Sequence, residues 1–217
     1  EFNFDFEEKT FVATLGGPII KDKLFFFVAY DKFDSVAPLN RGPAGSGAVN
    51  EVANITMDDV AQVGQIVSDV WGFDIGNFQK DDVQDEKILA NIDWNINADH
   101  RAKFTYMSTE GNSINEQNGN NFLTNDEVLG ASSAWYDRSE KVESFIAHVF
   151  SDWTSNFSTQ FKIASTTQET GQNSLNGAEF PNFAVFLREV DGDENYLTIG
   201  PDRFRHGNSL DQDFFQV

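Results

Sequence analysis

The sequence predicts an all-β chain, an antiparallel meander of about 7–8 long strands with one short helix in a long loop. Apolar and polar residues alternate in several segments, as in residues 88–96, which is the pattern of a strand with one apolar face. Aromatic residues make up 14% of the 217 residues and include 22 Phe, too many for a disordered acidic chain. Short turn segments alternate with long polar segments, so we expect all the long loops at one end of the meander.

The first two strands are predicted in residues 10–15 and 23–30, which are rich in β-branched and aromatic side chains. Gly16-Gly17-Pro18 and Lys21-Asp22 lie between them. Because glycine and proline favour turns, we expect these two strands to form a hairpin with its turn in this segment.

A long loop is expected over residues 36–85, where the composition shifts to small, polar and acidic residues. Within it, apolar residues recur at helical spacing from Met57 to Val70. Thr56 precedes them as a candidate N-cap, and Gly72 follows as a stop signal. The loop is therefore predicted to contain one amphipathic helix.

The rest of the chain repeats the pattern of strand, short turn, strand and long loop. Further strands are predicted at residues 88–96, 102–106, 132–150, 157–163 and 209–217. Short turns are expected at residues 97–100 and 151–156, and long polar loops at residues 111–131 and 170–207. An eighth strand candidate lies within residues 183–190.

Charge and cysteine content exclude several classes of function. The chain has 35 acidic and 15 Lys or Arg residues, a net charge of -20, so nucleic acid is excluded as a partner. It has no Cys, which rules out disulfides, thiolate zinc sites and cysteine nucleophiles. No apolar run approaches the roughly 18 residues that a membrane-spanning helix needs.

No constellation of residues indicates catalysis. The three His residues, at positions 100, 148 and 206, have no metal-binding or triad spacing, and no Gly-x-Ser-x-Gly element occurs. We therefore expect no catalytic or cofactor-binding residues and no enzyme activity.

A weak calcium candidate lies in the last long loop. Asp191, Asp193 and Asn195 have the spacing of the first ligands of a calcium loop, but Tyr196 replaces the glycine at the sixth position and Asp202 the glutamate at the twelfth. A solvated acidic loop is the alternative interpretation, and calcium is the only cofactor that the sequence suggests.

Several segments of the chain carry motifs of a known family. Residues 14–27, TLGGPIIKDKLFFF, are similar to the early barrel segment of TonB-dependent outer-membrane receptors of the Oar-like (OmpA-related) subgroup. Residues 71–76, 87–97 with His100-Arg101, and 200–213 are similar to later elements in the family's order.

This resemblance implies that residues 1–217 are a partial β-barrel domain, an open arc of a large transmembrane barrel of about 22 strands in the cell outer membrane. It implies a role in the uptake of a nutrient or other ligand, without the plug and signal peptide of the family. The implied partners are outer-membrane lipid, the TonB complex acting through the missing plug, and an extracellular ligand that contacts the long loops at residues 36–85, 111–131 and 170–207.

Two alternatives from other classes remain open. The first is a secreted, soluble β-sandwich binding module, in which the apolar faces of the strands would pack on each other. The second is a small closed outer-membrane barrel with a structural or adhesive role, which needs an eighth wall strand. A membrane barrel would place aromatic residues in a belt near the strand ends. The candidates for such a belt are Trp94, Tyr106, Trp135, Tyr136 and Trp153.

Overall fold

A computed structural model describes residues 7–78, 81–117, 127–205 and 207–217. The chain is mostly β, with a single α-helix in the described ranges. The strands are β1 (Glu7–Ile20), β2 (Leu24–Ala37), β3 (Arg41–Ala44), β4 (Asn50–Thr56), β5 (Asp81–Asn95), β6 (His100–Asn115), β7 (Glu127–Gly130), β8 (Tyr136–Thr154), β9 (Phe157–Ser174), β10 (Phe183–Val190), β11 (Asp193–Ile199) and β12 (Asn208–Gln216), and the helix is α1 (Met57–Trp71). No helix in these ranges is long and apolar enough to cross a membrane.

Seven long strands form one antiparallel sheet in the order β1-β2-β5-β6-β8-β9-β12. This confirms the predicted meander. Tight turns join β1 to β2, β5 to β6 and β8 to β9 at one end of the sheet. At the other end, three long connections join β2 to β5, β6 to β8 and β9 to β12. The sheet is open, with β1 and β12 as its outer strands.

The first turn lies further along the chain than the sequence predicted. β1 continues through Gly16, Gly17 and Pro18, and the chain reverses at residues 21–23, where Asp22 has a φ of 59°. Proline is tolerated here because the pairing of β1 with β2 shifts register between Pro18 and Ile20, and proline is accepted at such irregularities. Gly16 lies against the Phe27 ring, so a Cβ at this position would crowd that ring. The glycine therefore makes room for an aromatic side chain rather than forming the turn.

The eighth strand candidate is a strand, but it does not belong to the large sheet. β10 pairs with β11, and β11 pairs in parallel with β7, forming a separate three-stranded sheet. A further parallel pair, β3 and β4, lies within the first long connection. The expectation of an eighth wall strand in residues 183–190 is therefore wrong, because these residues pair with other loop segments.

Helix α1 forms where the sequence predicted it. Thr56 accepts a hydrogen bond from the Asp59 amide, and the Asp59 carboxylate accepts one from the Thr56 amide, which completes a capping box. Gly72 ends the helix in the left-handed conformation. The buried side chains of the helix, Val60, Val63 and Val67, repeat at the spacing of one helix face.

The two faces of the seven-stranded sheet differ in chemistry. Three successive rows of cross-strand partners on one face, called the apolar face here, are almost entirely apolar. These rows are Leu24, Trp94, Ala102, Val149 and Phe161; Phe26, Ile92, Phe104, Ala147 and Ile163; and Val28, Ala90, Tyr106, Phe145, Ser165 and Phe215. The opposite face, called the mixed face, interleaves polar and charged residues with apolar ones.

Within the described residues, no second sheet packs on the apolar face. Phe104 is 46% exposed, Phe145 61% and Phe161 54%. The hydrophobic core lies elsewhere, because every member of its buried cluster comes from the three long connections. The sheet thus exposes apolar surface, whereas the buried apolar cluster belongs to the loops.

Candidate binding surface of the loop cap

The three long connections fold together into one unit at the loop end of the sheet, called the cap here. It comprises residues 38–78, 116–117 with 127–135, and 175–205 of the described ranges. Its core combines residues from all three connections. Those buried to 2% exposure or less are Ile55, Val67, Ile75, Leu129, Ala131, Leu197 and Ile199. A shared core means that no single connection can leave the cap without exposing the apolar side chains of the others.

Polar contacts join the first connection to the second. The Glu116 carboxylate accepts hydrogen bonds from the backbone amides of Asn40 and Arg41 at 2.9 and 3.2 Å. The Arg41 guanidinium pairs with Glu127 at 2.6 Å. These contacts hold the first residues of the cap against the segment that leads into β7 and against the first residue of β7.

Two adjacent serines join all three connections. The Ser132 hydroxyl accepts a hydrogen bond from the Asn77 amide at 2.9 Å, and the Ser133 hydroxyl accepts one from the Gly200 amide at 3.1 Å. The Ser133 amide donates to the Ile75 carbonyl at 3.0 Å. Gly76 has a φ of 76° and lies so close to the Ser132 hydroxyl that a Cβ would overlap it. This contact therefore requires glycine at position 76.

Asp59 links the first connection to the third. Its carboxylate accepts hydrogen bonds from the Thr56 amide and hydroxyl and pairs with the Arg188 guanidinium of β10. Burial acts to raise the pKa of Asp59, but the hydrogen bonds from Thr56 and the charge and hydrogen bond of Arg188 outweigh it, so the pKa lies below its ordinary value. The charged form of Asp59 thus stabilises both the helix start and its contact with β10.

An aromatic cluster covers one edge of the cap core. Phe73 stacks on Phe180 with ring centroids 3.9 Å apart, and Trp71 meets both Phe180 and Phe183 edge-on at 6.2 Å. Phe73, Phe180 and Phe183 pack against the core but are only partly buried, and Trp71 is 58% exposed. We call these four residues the aromatic patch. Exposed apolar surface of this kind is typical of ligand or protein contact sites.

The aromatic patch lies in acidic surroundings. Residues 42–78 and 176–187, which supply its members, contain no Lys, Arg or His. They carry carboxylates within two residues of the patch residues in sequence, at Asp69, Asp74 and Glu179. The faces of aromatic rings attract cations, and nearby carboxylates strengthen that attraction. The patch therefore suits a ligand that combines positive charge with apolar surface.

The calcium candidate residues lie at one end of the β10–β11 hairpin. Asp191 is in the turn, with a φ of 54°, and Asp193 begins β11. Asn195 is fully buried, and its amide nitrogen donates hydrogen bonds to the carbonyls of Arg188 and Asp193 at 3.4 and 3.1 Å. The structure therefore uses this side chain to hold the hairpin together. Across the described ranges, no three His, Asp or Glu side chains form a group able to hold a metal ion.

Two of the three histidines and three of the five aromatic belt candidates lie in the large sheet, away from the cap. His100 starts β6, His148 lies on the mixed face of the sheet, and His206 is outside the described residues. Trp94 and Tyr106 lie on the apolar face, and the indole of Trp153 donates to Thr159 on that face at 2.8 Å.

Trp135 and Tyr136 differ from the other belt candidates, because they are buried at the cap with 3% and 6% exposure. The Trp135 indole donates to the Gly130 carbonyl at 2.9 Å and packs edge-on against Phe78. Their assignment to an exposed belt is therefore wrong. Aromatic residues do lie at both ends of β8, but Trp135 and Tyr136, at the end nearest the cap, are buried by packing against the cap.

Sequence spacing gave no indication of the aromatic patch, since its two halves lie more than 100 residues apart in the chain.

No protein-family model matches the chain, and neither the curated proteins nor the solved structures contain a significant match to it.

Proposed function

We propose that this chain is a wall segment of a TonB-dependent transporter of the outer membrane, with its cap on the extracellular side. The observation that carries the proposal is the uncovered apolar face of the sheet. Three mostly apolar rows run across five or six strands, and many of their large side chains, such as Phe104, Phe145 and Phe161, are exposed. Soluble proteins rarely expose so large a continuous apolar surface, whereas a barrel in lipid requires one.

The height of the apolar face fits a membrane. On β8 this face runs from Phe145 to Trp153 at the tight turn, about 27 Å along the strand, and it includes one polar row of His100, Ser151 and Thr159 between Val149 and Trp153. At a strand tilt of about 40°, this corresponds to about 20 Å along the membrane normal, close to the band of roughly 25 Å on outer-membrane barrels.

Amphipathic aromatic residues mark both limits of this band. Trp94 and Trp153 lie near the tight turns. Toward the cap, the hydroxyls of Tyr30 and Tyr106 donate to Glu86 and Glu143, each at 3.0 Å.

Toward the cap, the row after the three apolar rows is mixed and contains Tyr30, Ile88, Ser108, Glu143, Thr167 and Asp213. The row beyond it is charged and contains Lys32, Glu86, Glu110, Lys141, Glu169 and Asp211. A change from apolar rows to a charged row next to aromatic hydroxyls is the expected chemistry of a membrane–water interface.

The cap supplies the ligand-contacting surface in this proposal. Short turns face the periplasm and longer loops the exterior in outer-membrane barrels, so the cap lies outside the cell. Its acidic surroundings and aromatic patch favour a ligand with positive charge and apolar surface, taken up by a transport cycle that TonB energises through a plug. The proposal assigns no catalytic residue to the chain.

Single-cysteine labelling tests the membrane placement, because this chain has no native Cys. In the full protein in lipid bilayers, nitroxides at Phe104→Cys and Phe145→Cys on the apolar face are expected to collide preferentially with dissolved oxygen. Matched labels at Thr105→Cys and Met107→Cys on the mixed face are expected to collide preferentially with a water-soluble nickel chelate. Equal accessibility of both faces to the chelate would contradict the proposal. Shielding of Phe104→Cys from both reagents would instead favour a soluble sandwich.

A further inference from the structure

Three rings of the aromatic patch form a nearly equilateral triangle at the surface of the cap. The ring centroids lie 6.2 Å apart for Trp71 and Phe180, 6.2 Å for Trp71 and Phe183, and 5.9 Å for Phe180 and Phe183. The ring planes are inclined to each other by 68°, 70° and 43°, so the three rings face different directions. Phe73 stacks on Phe180 with an interplanar angle of 2°. These contacts hold the three rings in place relative to one another.

The triangle has dimensions that suit a single cationic group. A cation about 3 Å above its centre would lie roughly 4.6 Å from each of the three centroids, within the distance of about 6 Å over which aromatic rings attract cations. Trp71 belongs to the residue type that attracts cations most strongly, and it is 58% exposed. Phe180 and Phe183 are partly exposed, so a ligand can reach all three rings from solvent. One cation can therefore contact the three rings at the same time.

The C-terminal end of α1 adds negative charge beside the triangle. Trp71 is the last residue of the helix, and the amide of Gly72 donates to the Ser68 carbonyl at 2.8 Å. A helix C-terminus carries a partial negative charge, which basic residues in the last turn offset when they are present. The last turn of α1 contains no basic residue and carries Asp69 instead. The helix end and this carboxylate therefore both favour a positive charge next to Trp71.

The chemistry of the patch also discriminates between kinds of cation. A primary ammonium carries three N–H donors, which lose hydrogen bonds to water when they are moved onto an aromatic surface. A quaternary ammonium has no N–H donor, and its methyl groups add apolar contact with the rings. The nearby carboxylates already accept hydrogen bonds within the chain, Asp69 from the Gln65 side chain at 2.9 Å and Asp74 from the Gly76 amide at 2.8 Å. The patch therefore fits a quaternary ammonium better than a primary amine.

A phosphate attached to the same ammonium group would be disfavoured at this position. Residues 42–78 and 176–187 contain no Lys, Arg or His that could pair with a phosphate. The carboxylates of Asp69, Asp74 and Glu179 would repel it. A ligand with a net positive charge therefore fits the patch, whereas the zwitterionic phosphocholine headgroup of a lipid does not.

We propose that Trp71, Phe180 and Phe183 bind the ammonium group of a small, soluble quaternary ammonium compound with a net positive charge. The trimethylammonium group lies over the triangle of rings, beside the C-terminal end of α1. The inference names the ligand class of the cap and rests on the proposed function, which makes the cap the ligand-contacting surface.

Saturation-transfer NMR tests this binding on the full protein in a maltoside detergent, which itself has no ammonium group. Choline is the probe, and its neutral isostere dimethylbutanol, in which carbon replaces the nitrogen, is the control ligand. We expect choline to bind about tenfold more tightly than dimethylbutanol, because only choline carries the charge that the rings and the helix end attract. Ethanolamine, a primary amine, and phosphocholine, which adds a phosphate, should each bind more weakly than choline.

Four results would overturn the proposal. Failure of choline to bind would remove the ammonium site, and equal binding of dimethylbutanol would show that apolar contact alone suffices. Ethanolamine binding as tightly as choline would contradict the preference for a quaternary ammonium. Phosphocholine binding as tightly as choline would point instead to the headgroup of a lipid.

A matched pair of variants tests the location of the site. Trp71→Leu removes the most exposed ring of the triangle but keeps an apolar side chain, and it should weaken choline binding about fivefold. Phe204→Leu is the control, because Phe204 is 61% exposed in the cap and its ring already lies 4.7 Å from the Arg203 guanidinium. Its loss should leave choline binding unchanged.

An equal loss in both variants, or no loss in Trp71→Leu, would place the binding elsewhere and overturn the proposal. Circular dichroism of both variants checks that the fold is kept. Choline binding is measured in detergent, whereas the nitroxide labels measure membrane placement in bilayers. Failure of the ligand assignment can therefore be distinguished from failure of the proposed function.

Discussion

Replacing Leu197 by alanine should loosen the whole cap and not only the strand that carries it. Leu197 is fully buried in the centre of the three-stranded sheet. Its partner on β10 is Val185, and its partner on the parallel strand β7 is Leu129. Removing its side chain therefore leaves a hole between segments of the second and third connections, in the same buried cluster to which the helix of the first contributes Val60, Val63 and Val67.

The expected cost is large for a single substitution. Leucine-to-alanine changes at fully buried sites cost about 3–5 kcal/mol, since lost burial and the cavity both contribute. Even the lower value would raise the population of an opened cap about a hundredfold, because each 1.4 kcal/mol corresponds to a factor of ten. Leu175→Ala is the matched control: Leu175 belongs to the cap but is 40% exposed, so its truncation should cost well under half as much.

Hydrogen exchange followed by mass spectrometry measures this opening segment by segment. In the Leu197→Ala variant, amides of α1 and residues 127–135 should exchange faster together with those of β11, while the wall strands β6 and β8 keep their protection. If exchange rises only in β10 and β11 and α1 stays protected, the three connections do not share one cooperative core, and the reasoning about the cap is wrong.

Two further predictions concern the helix cap and the apolar face. Asp59→Ala should destabilise α1 by about 1–2 kcal/mol at neutral pH. Since the pKa of Asp59 is lowered on folding, its contribution is full above the unfolded value of about 3.9 and is lost as the pH falls through the folded value. Proteolysis of the cap at stepped pH should therefore show an acid-dependent loss in the wild type that is smaller in the variant; an identical pH dependence in both would refute this assignment. Phe104→Arg should cost about 2–4 kcal/mol of barrel stability in lipid, because it puts a charge in the middle of the apolar face. Thr105→Arg, on the other face, should cost far less in the same urea titration of the bilayer-inserted protein, and equal costs would contradict the membrane placement.

The large sheet and the helix could be predicted from the sequence because their signals are local. Period-2 alternation in residues 88–96 and the spacing of Val60, Val63 and Val67 each report on one element and its buried side. The order of strands followed, since consecutive strands joined by tight turns pair as neighbours.

The architecture of the cap could not be predicted in this way. β7 has four residues and pairs with β11 almost 70 positions away, so neither length nor periodicity indicates that pairing. Leu129 and Leu197 lie in short strands within largely polar loops, and only their partners in space make them core. The aromatic patch has the same origin, since contact between Phe73 and Phe180 depends on how two connections fold on each other.

The shared core of the cap also constrains how its sequence can drift. Surface loops usually accept insertions and substitutions independently, because few of their side chains pack against anything else. Here Val63, Leu129 and Leu197 come from three different connections and fill one interior. A change of volume at one of them needs a compensating change in another loop. Diversification of this surface is therefore expected at exposed positions such as Trp71, while the interior positions of the three loops change together.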